Sequence, residues 1–392
     1  MLDARPARGV EAVVEERVRG VGFMILIGTD EGIYRWYEGN PWPIFHGLQG
    51  RAVVGLAAPG GGVLAAVDGG GRVLESVDNG MEWRTIPLPE GAGRPSSLAV
   101  WGAPSAIVMA TKPLGVYRRA IGAPIPRAED STATEGGLAP RLLSRARTLA
   151  EGATAMLAPK ARATRVDRET AARAGWEPLT SPAVTSDAGI APDVRALTLG
   201  AGEPATWYAA VGGAGLWKSV DGGGSWARCP GLPDEVYAIR TARERPGSVF
   251  AATSDGCWVS GDSGQTWEDR SGGLENVRHL RAIEVKPGAP DTLLAGAAPA
   301  PRSDSGAASI DGLGFSLYES TNGGKAWAHV KRGYPETLLY DTITDIRYDP
   351  AAPENVIVAL GSGELWVTRN GGAYWTPLAR QIRAARVLCA AV

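Results

Sequence analysis

The chain has 392 residues, with 53 Gly, 28 Pro, 13 Trp and a formal charge of −2. That balance gives no reason to expect a nucleic-acid partner, which would show as a basic domain or stripe. The three cysteines, Cys229, Cys257 and Cys389, lack CxxC spacing and are odd in number, so they indicate neither a metal site nor a disulfide framework and read as buried small apolar residues.

Residues 1–20 read as an N-terminal extension rich in charge (Glu11, Glu15, Glu16, Arg17, Arg19). The apolar run 23–27 is too short for a signal-peptide core or a membrane span, which predicts a cytoplasmic chain, or an extracytoplasmic one if an export signal has been removed. Residues 23–28 match the second strand of a repeating unit and 32–36 the third. First-strand segments then recur at 53–57, 97–101, 194–199, 236–241, 280–285 and 343–348. A large residue marks the third strand of every unit: Tyr34, Leu74, Tyr117, Trp217, Trp258, Tyr318 and Trp366. Their separations are 40, 43, 100, 41, 60 and 48, so a unit of about 40 residues occurs seven times with two large insertions. The first unit lacks a first strand of its own. Residues 386–392 have that character and are predicted to supply it, closing a ring with strands from both ends of the chain.

After the marked strand comes a second signature. It reads Ser76-Val-Asp78-Asn-Gly80-Met-Glu-Trp83, and recurs with Asp221 and Trp226, with Asp262 and Trp267, with Asn322 and Trp327, and with Asn370 and Trp375. In each, the Asp or Asn is suited to accept hydrogen bonds from its own turn's N–H groups. The Gly supplies a positive φ, and the Trp buries its ring between sheets. The roles are structural, not catalytic.

These five copies of Ser/Thr-x-Asp/Asn-x-Gly-x-x-Trp resemble the Asp box, or BNR repeat, of sialidase-like propellers, sortilin-type receptors and photosystem II assembly factors of the Ycf48 type. The fold expected is all-β: a single seven-bladed β-propeller over residues 21–392, with Asp-box turns, closure by both termini and a helical insertion in blade three. Sialidases of this superfamily carry an arginine triad, a Tyr nucleophile and a Phe/Tyr-Arg-Ile-Pro motif. That motif is absent, and Arg195, Arg281 and Arg347, although on inner strands, stand in no triad context. The related xyloglucanases pair two propellers with one catalytic Asp on each, whereas this chain has the length of one.

The insertion in blade three spans residues 120–174. Between Arg118 and Ala174 there are eleven Lys or Arg against six Asp or Glu, so a basic segment is set on an acidic body. Within it, Leu142, Ala146, Leu149, Ala153 and Met156 follow spacings of 4, 3, 4 and 3, predicting an amphipathic helix over about 141–158. Its Leu face with Arg141 and Arg145 suits packing on the propeller, a protein partner or an anionic membrane surface; the partner-binding candidates are Arg141, Leu142, Arg145, Leu149 and Met156. The second insertion, 297–314, is a loop in blade six on the face opposite the Asp-box turns. On that face Asp30, Asp68, Lys112, Asp255 and Asp304 form a candidate ligand site for a glycan or cation, with ordinary turn roles as the alternative.

No catalytic residue, metal site or cofactor is indicated. The histidines, His46, His279 and His329, are scattered, with His46 read as an ordinary loop residue and a position facing the channel as the alternative; Gly60–62 and Gly69–71 lack a following helix and read as hairpin glycines. The function expected is a non-catalytic binding or scaffold propeller with a protein partner. The alternatives are a glycan-binding or glycoside-hydrolase-like propeller and a membrane-surface adaptor.

Overall fold

The computed structural model describes residues 24–37, 43–60, 62–101, 106–124, 175–184, 193–200, 206–299, 316–331, 341–350, 352–379 and 387–391. They form seven antiparallel sheets of four strands, the blades of a β-propeller. In blade four the strands run from the axis outward as Val194–Leu199, Trp207–Val211, Gly215–Ser219 and Ala227–Arg228. The large residues that marked the repeat all lie on third strands, as in Gly32–Tyr37, Gly256–Ser260 and Leu365–Thr368.

Closure follows the expectation from the sequence. Val387–Ala391 is the inner strand of blade one and pairs with Met24–Thr29 from Met24↔Ala391 to Gly28↔Val387. The inner strands of neighbouring blades contact one another around the ring, and Val387–Ala391 touches those of blades two and seven.

The apolar core is divided among seven seams, one between each pair of adjacent blades. Phe250 and Ala252 face the seam with blade six, while Val249 and Ala251, on the same strand, face the seam with blade four. Second strands are therefore buried on both faces, which explains their near-continuous apolar sequences such as 207–211, 249–253 and 356–360. Outer strands have water on one side and shrink to two exposed residues at Ala227–Arg228 and Glu268–Asp269.

The five repeated turns share one hydrogen-bond plan. The Ser or Thr hydroxyl donates to the Asp or Asn Oδ1 (2.7 Å for Ser76 to Asp78, 2.9 Å for Thr368 to Asn370). It also accepts the Gly N–H four residues on (2.8 Å for Gly80, 3.0 Å for Gly372). The same Oδ1 accepts the N–H of the residue before the Trp, at 2.8 Å for Ser225 and 2.9 Å for Thr266. Hydrogen bonds from the Ser225 hydroxyl and N–H, then from Ser219, hold the Asp221 carboxyl down at about 2. Two consecutive residues adopt positive φ, not the Gly alone: Asn79 at 60° and Ser263 at 59° precede Gly80 and Gly264. Asn tolerates this region by bonding its own backbone, whereas the Ser263 turn carries a small strain.

Blade three lacks the sequence of such a turn, yet it keeps the tryptophan. The outer strand Glu177–Leu179 pairs with Gly115–Ala120, and Arg118 binds Glu177 at 2.6 Å. Trp176 is 1% exposed and donates its indole N–H to the Pro87 carbonyl of blade two at 2.9 Å. Trp226 and Trp327 likewise reach Thr180 and Arg270 of their preceding blades. Beside it, Glu75 is buried between Arg84 (2.8 Å) and the Gly122 N–H, with Arg119 buried close by.

Three sequence expectations change in detail. His46 lies on the outer strand Ile44–Gly47 of blade one, packed against Gly80 of the next turn, and not in a loop; a single turn-forming stretch before Val53 leaves that segment free to pair with Gly32–Tyr37. The blade-six insertion starts after residue 298, because Ala297 and Ala298 still pair with Leu280 and His279. Ala120 likewise belongs to a strand and not to the blade-three insertion, since it pairs with Ala106. The helix expected over 141–158 lies outside the described residues.

Candidate functional site

Each blade's first-to-second and third-to-outer turns lie at one end of the ring, the end that carries the repeated turns. The opposite end carries the starts of the inner strands. There a β-bulge interrupts the pairing of six inner strands with their second strands, at the residue between 53 and 55, 95 and 97, 194 and 196, 236 and 238, 280 and 282, and 343 and 345. The bulged residues are Val54, Ser96, Arg195, Tyr237, Arg281 and Thr344. A bulge re-aims its side chain out of the regular alternation. Val54 is accordingly 43% exposed although Val53 beside it is fully buried. The six form a ring at the channel mouth that contains two guanidiniums and no carboxylate.

The charge is concentrated on blades four to six. The Arg195 and Arg281 guanidiniums lie 5.2 and 5.1 Å from the centre of the Tyr237 ring, a double cation–π arrangement that holds two like charges beside one aromatic ring. Burial, followed by the Glu235 charge, raises the Tyr237 hydroxyl pKa above its ordinary value, so it remains a donor. His279 packs edge-on to the same ring at 5.1 Å, and burial together with the Arg281 charge lowers it to about 4. Arg195 is paired with Glu235. Arg281 has no ion pair among the described residues.

Three residues deeper, the charges cancel one another. Glu284 accepts from Arg240 at 2.8 Å and from Arg347 at 2.5 Å, while Asp345 pairs with the same two arginines at 3.3 and 3.2 Å. Burial pushes the Glu284 carboxyl up, but the two guanidiniums outweigh it and its pKa lies below the ordinary value. Its stabilisation is therefore complete above the unfolded pKa of ~4.3 and is lost as acid protonates the folded carboxyl. Glu284→Gln should cost about 3 kcal/mol at neutral pH by leaving two arginines on one carboxylate. It should also flatten the loss of melting temperature between about pH 5 and 3; a pH series of thermal melts on both proteins checks this.

The candidate residues on the strand-connecting turns are spread over different blades. Asp30 lies between the second and third strands of blade one. Asp68 is buried and accepts the N–H groups of Gly70 and Arg72 and the Arg72 guanidinium at 2.7 Å, with Arg51 at 3.7 Å. Asp255 binds Arg278 at 2.6 Å, and Lys112 faces Asp193 at 3.7 Å. No two of these four are in contact with each other. Asp304, like Arg141, Leu142, Arg145, Leu149 and Met156, lies outside the described residues. Among the described residues no group of three His, Cys, Asp or Glu is placed to hold a metal ion, and no helix is long and apolar enough to cross a membrane.

The mouth ring was not legible as a site. Arg195 and Arg281 stand out in the sequence only as inner-strand arginines, and Arg347 groups with them by type although it belongs to the deeper network. The usable signal is positional: the bulged residue directly follows the first paired residue of its inner strand in Val53-Val54, Val194-Arg195, Val236-Tyr237 and Ile343-Thr344, and the second in Pro95-Ser96 and Leu280-Arg281.

No protein-family model and no curated protein matches the sequence. Similar solved structures share the propeller. YCF48 bound to D1 peptide is 14% identical, with 88% of this chain and 89% of that one covered and a TM-score of 0.54. YCF48 from Cyanidioschyzon merolae is 12% identical, with 89% and 92% covered and a TM-score of 0.55. The GH74 xyloglucanase from Xanthomonas campestris is 15% identical with a TM-score of 0.54, covering 95% of this chain and 52% of its own, so this chain spans about half that enzyme. At these identities the likeness establishes the fold: an all-β seven-bladed propeller of the kind found in YCF48 and in GH74 enzymes.

Proposed function

We propose that this propeller is a non-catalytic binding protein that receives an acidic segment of a protein partner at the mouth of its channel. The observation that carries the reading is the bulge ring, in which Arg281 presents a guanidinium without a counter-charge among the described residues, beside Tyr237 and Arg195. An arginine so placed, over an aromatic face and partly withdrawn from water, is suited to fork-like pairing with a carboxylate. On the same ring Ser96 and Thr344 donate their hydroxyls to the Ala110 and Ala359 carbonyls at 3.4 and 3.2 Å, and Val54 adds an apolar contact. The peptide carried by the similarly folded YCF48 supports a protein segment as the ligand class. The reading uses none of the residues 141–158.

The glycoside-hydrolase alternative has less support. Such hydrolysis needs two carboxyl groups flanking the bond, and Asp68 and Asp255 stand on blades two and five with their oxygens engaged by arginines.

Fluorescence anisotropy with labelled decapeptides tests the proposal, comparing Asp/Glu-rich sequences with their Asn/Gln counterparts. The acidic peptides should bind, weaken with salt, and lose about ten-fold or more in affinity with Arg281→Glu, corresponding to about 1.4 kcal/mol. Equal binding of the amide peptides, or an Arg281→Glu protein that binds as the parent does, contradicts it.

A further inference from the structure

The seam between blades six and seven is packed differently from those before the other repeated turns. A Cβ placed on the turn glycines Gly80, Gly223, Gly264 or Gly324 would meet a side chain of the preceding blade: His46 at 2.8 Å, Leu179 at 2.8 Å, Cys229 at 3.3 Å and Arg270 at 3.3 Å. One on Gly372 would meet, among the described residues, only Trp375 of its own turn, at 3.9 Å. One residue differs in reach between this seam and the one before it. Val330 stands where Arg270 stands one blade earlier, each donating its N–H at 2.8 Å to the residue before the third-strand aromatic, Leu317 and Cys257 respectively. Arg270 spans its seam to the Gly323 carbonyl at 3.0 Å. Val330 is too short to do the same.

The space left is a cavity of about 480 Å³, within the range of small-molecule sites. Its wall is apolar and aromatic where Val330, Val356, Tyr348 and Trp375 meet. Lys286 and Lys331 line it from blade six, with Glu319 as the one carboxylate, and none of the three is ion-paired among the described residues. The His329 Nε2 is buried without a hydrogen-bond partner among the described residues. Burial lowers the His329 pKa, with the Lys331 charge adding to it, and the charged side chains of the described lining are two lysines and one glutamate.

We infer that this seam is a binding site for a small amphiphilic organic anion, whose acidic head pairs with Lys286 and Lys331 while its apolar body lies against Tyr348, Val356 and Trp375. The site is separate from the channel mouth and independent of the reading given for it. A carboxylate, sulfonate or phosphate head would satisfy the same two lysines.

Anilinonaphthalene sulfonate fluorescence on the full chain, with decanoate, decanol and decyltrimethylammonium as competitors, tests the inference. The expected result is one saturable site from which decanoate displaces the dye at least ten-fold better than the neutral or cationic chains. Val330→Arg, which restores the Arg270 arrangement, should abolish it, and Val330→Ala should keep it. Arg281→Glu at the mouth should leave it unchanged. If Val330→Arg melts well below the parent, the surface pair Lys286→Ala with Lys331→Ala decides, with at least a ten-fold loss expected. No saturable site, displacement by the cationic chain as good as by decanoate, unchanged binding in the filled or double variant, or loss of binding in Arg281→Glu would overturn it.

Discussion

Truncation after Gln381 lowers the melting temperature by more than about 10 °C, far beyond the effect of trimming a loose tail. The segment removed contains Val387–Ala391, whose five backbone pairings with Met24–Gly28 complete blade one. Without it, Met24–Thr29 becomes a free edge with unpaired N–H and C=O groups. The contacts with the inner strands of blades two and seven vanish at the same time, which opens the two seams that hold Leu26, Ile33, Val53 and Leu56 on one side and Ile25, Ile27, Ile357 and Ala359 on the other. Adding a synthetic peptide of residues 382–392 should recover part of the lost stability, because the missing strand then binds as a ligand. Calorimetry of the parent, the truncated chain and the truncated chain with peptide checks this, and an unchanged melting temperature contradicts it.

Trp176→Ala comes second, with an expected cost of about 4 kcal/mol in denaturant unfolding. The ring is fully enclosed against Ile86, Ile107 and Met109 in the seam of blades two and three, and that seam has no repeated turn to hold it. Trp176→Phe keeps most of the packing but removes the N–H bonded to Pro87, so it should cost about 1 to 1.5 kcal/mol. The contrast between the two substitutions separates packing from hydrogen bonding. A loss under about 1 kcal/mol for the alanine variant would mean that the ionic cluster of Glu75, Arg84 and Arg119 holds the seam without the indole.

The blade count and closure were legible because their chemistry is local and repeated. Ser219, Asp221 and Gly223 determine one turn within five residues, and five such turns set the period that locates the decayed blades. The terminal strand was legible by deficit, since blade one had a second and a third strand and no first. The mouth ring depends instead on pairing register. Nothing in the residue types Val54, Ser96, Arg195, Tyr237, Arg281 and Thr344 marks them as equivalent, and only the bulge aligns them. The candidates chosen by their place on the loops opposite the repeated turns, such as Asp68, sit where the sequence put them, and the Asp68 carboxylate serves its own turn's backbone, the alternative weighed for it. The open seam was equally hidden, since it is a matter of how two blades pack and no residue type in the sequence marks it.

These placements make the two ends of the ring chemically different. The mouth carries an arginine without a counter-charge among the described residues, and the other end carries exposed apolar turn residues such as Met81, Val220 and Tyr374. Photocrosslinking with an acidic decapeptide bearing a benzophenone group, mapped by mass spectrometry, tests recognition at the mouth most directly. Crosslinks should fall around Val54, Ser96 and Thr344 and disappear with Arg281→Glu. Crosslinks concentrated at Met81, Val220 and Tyr374, or unaffected by that substitution, would contradict it.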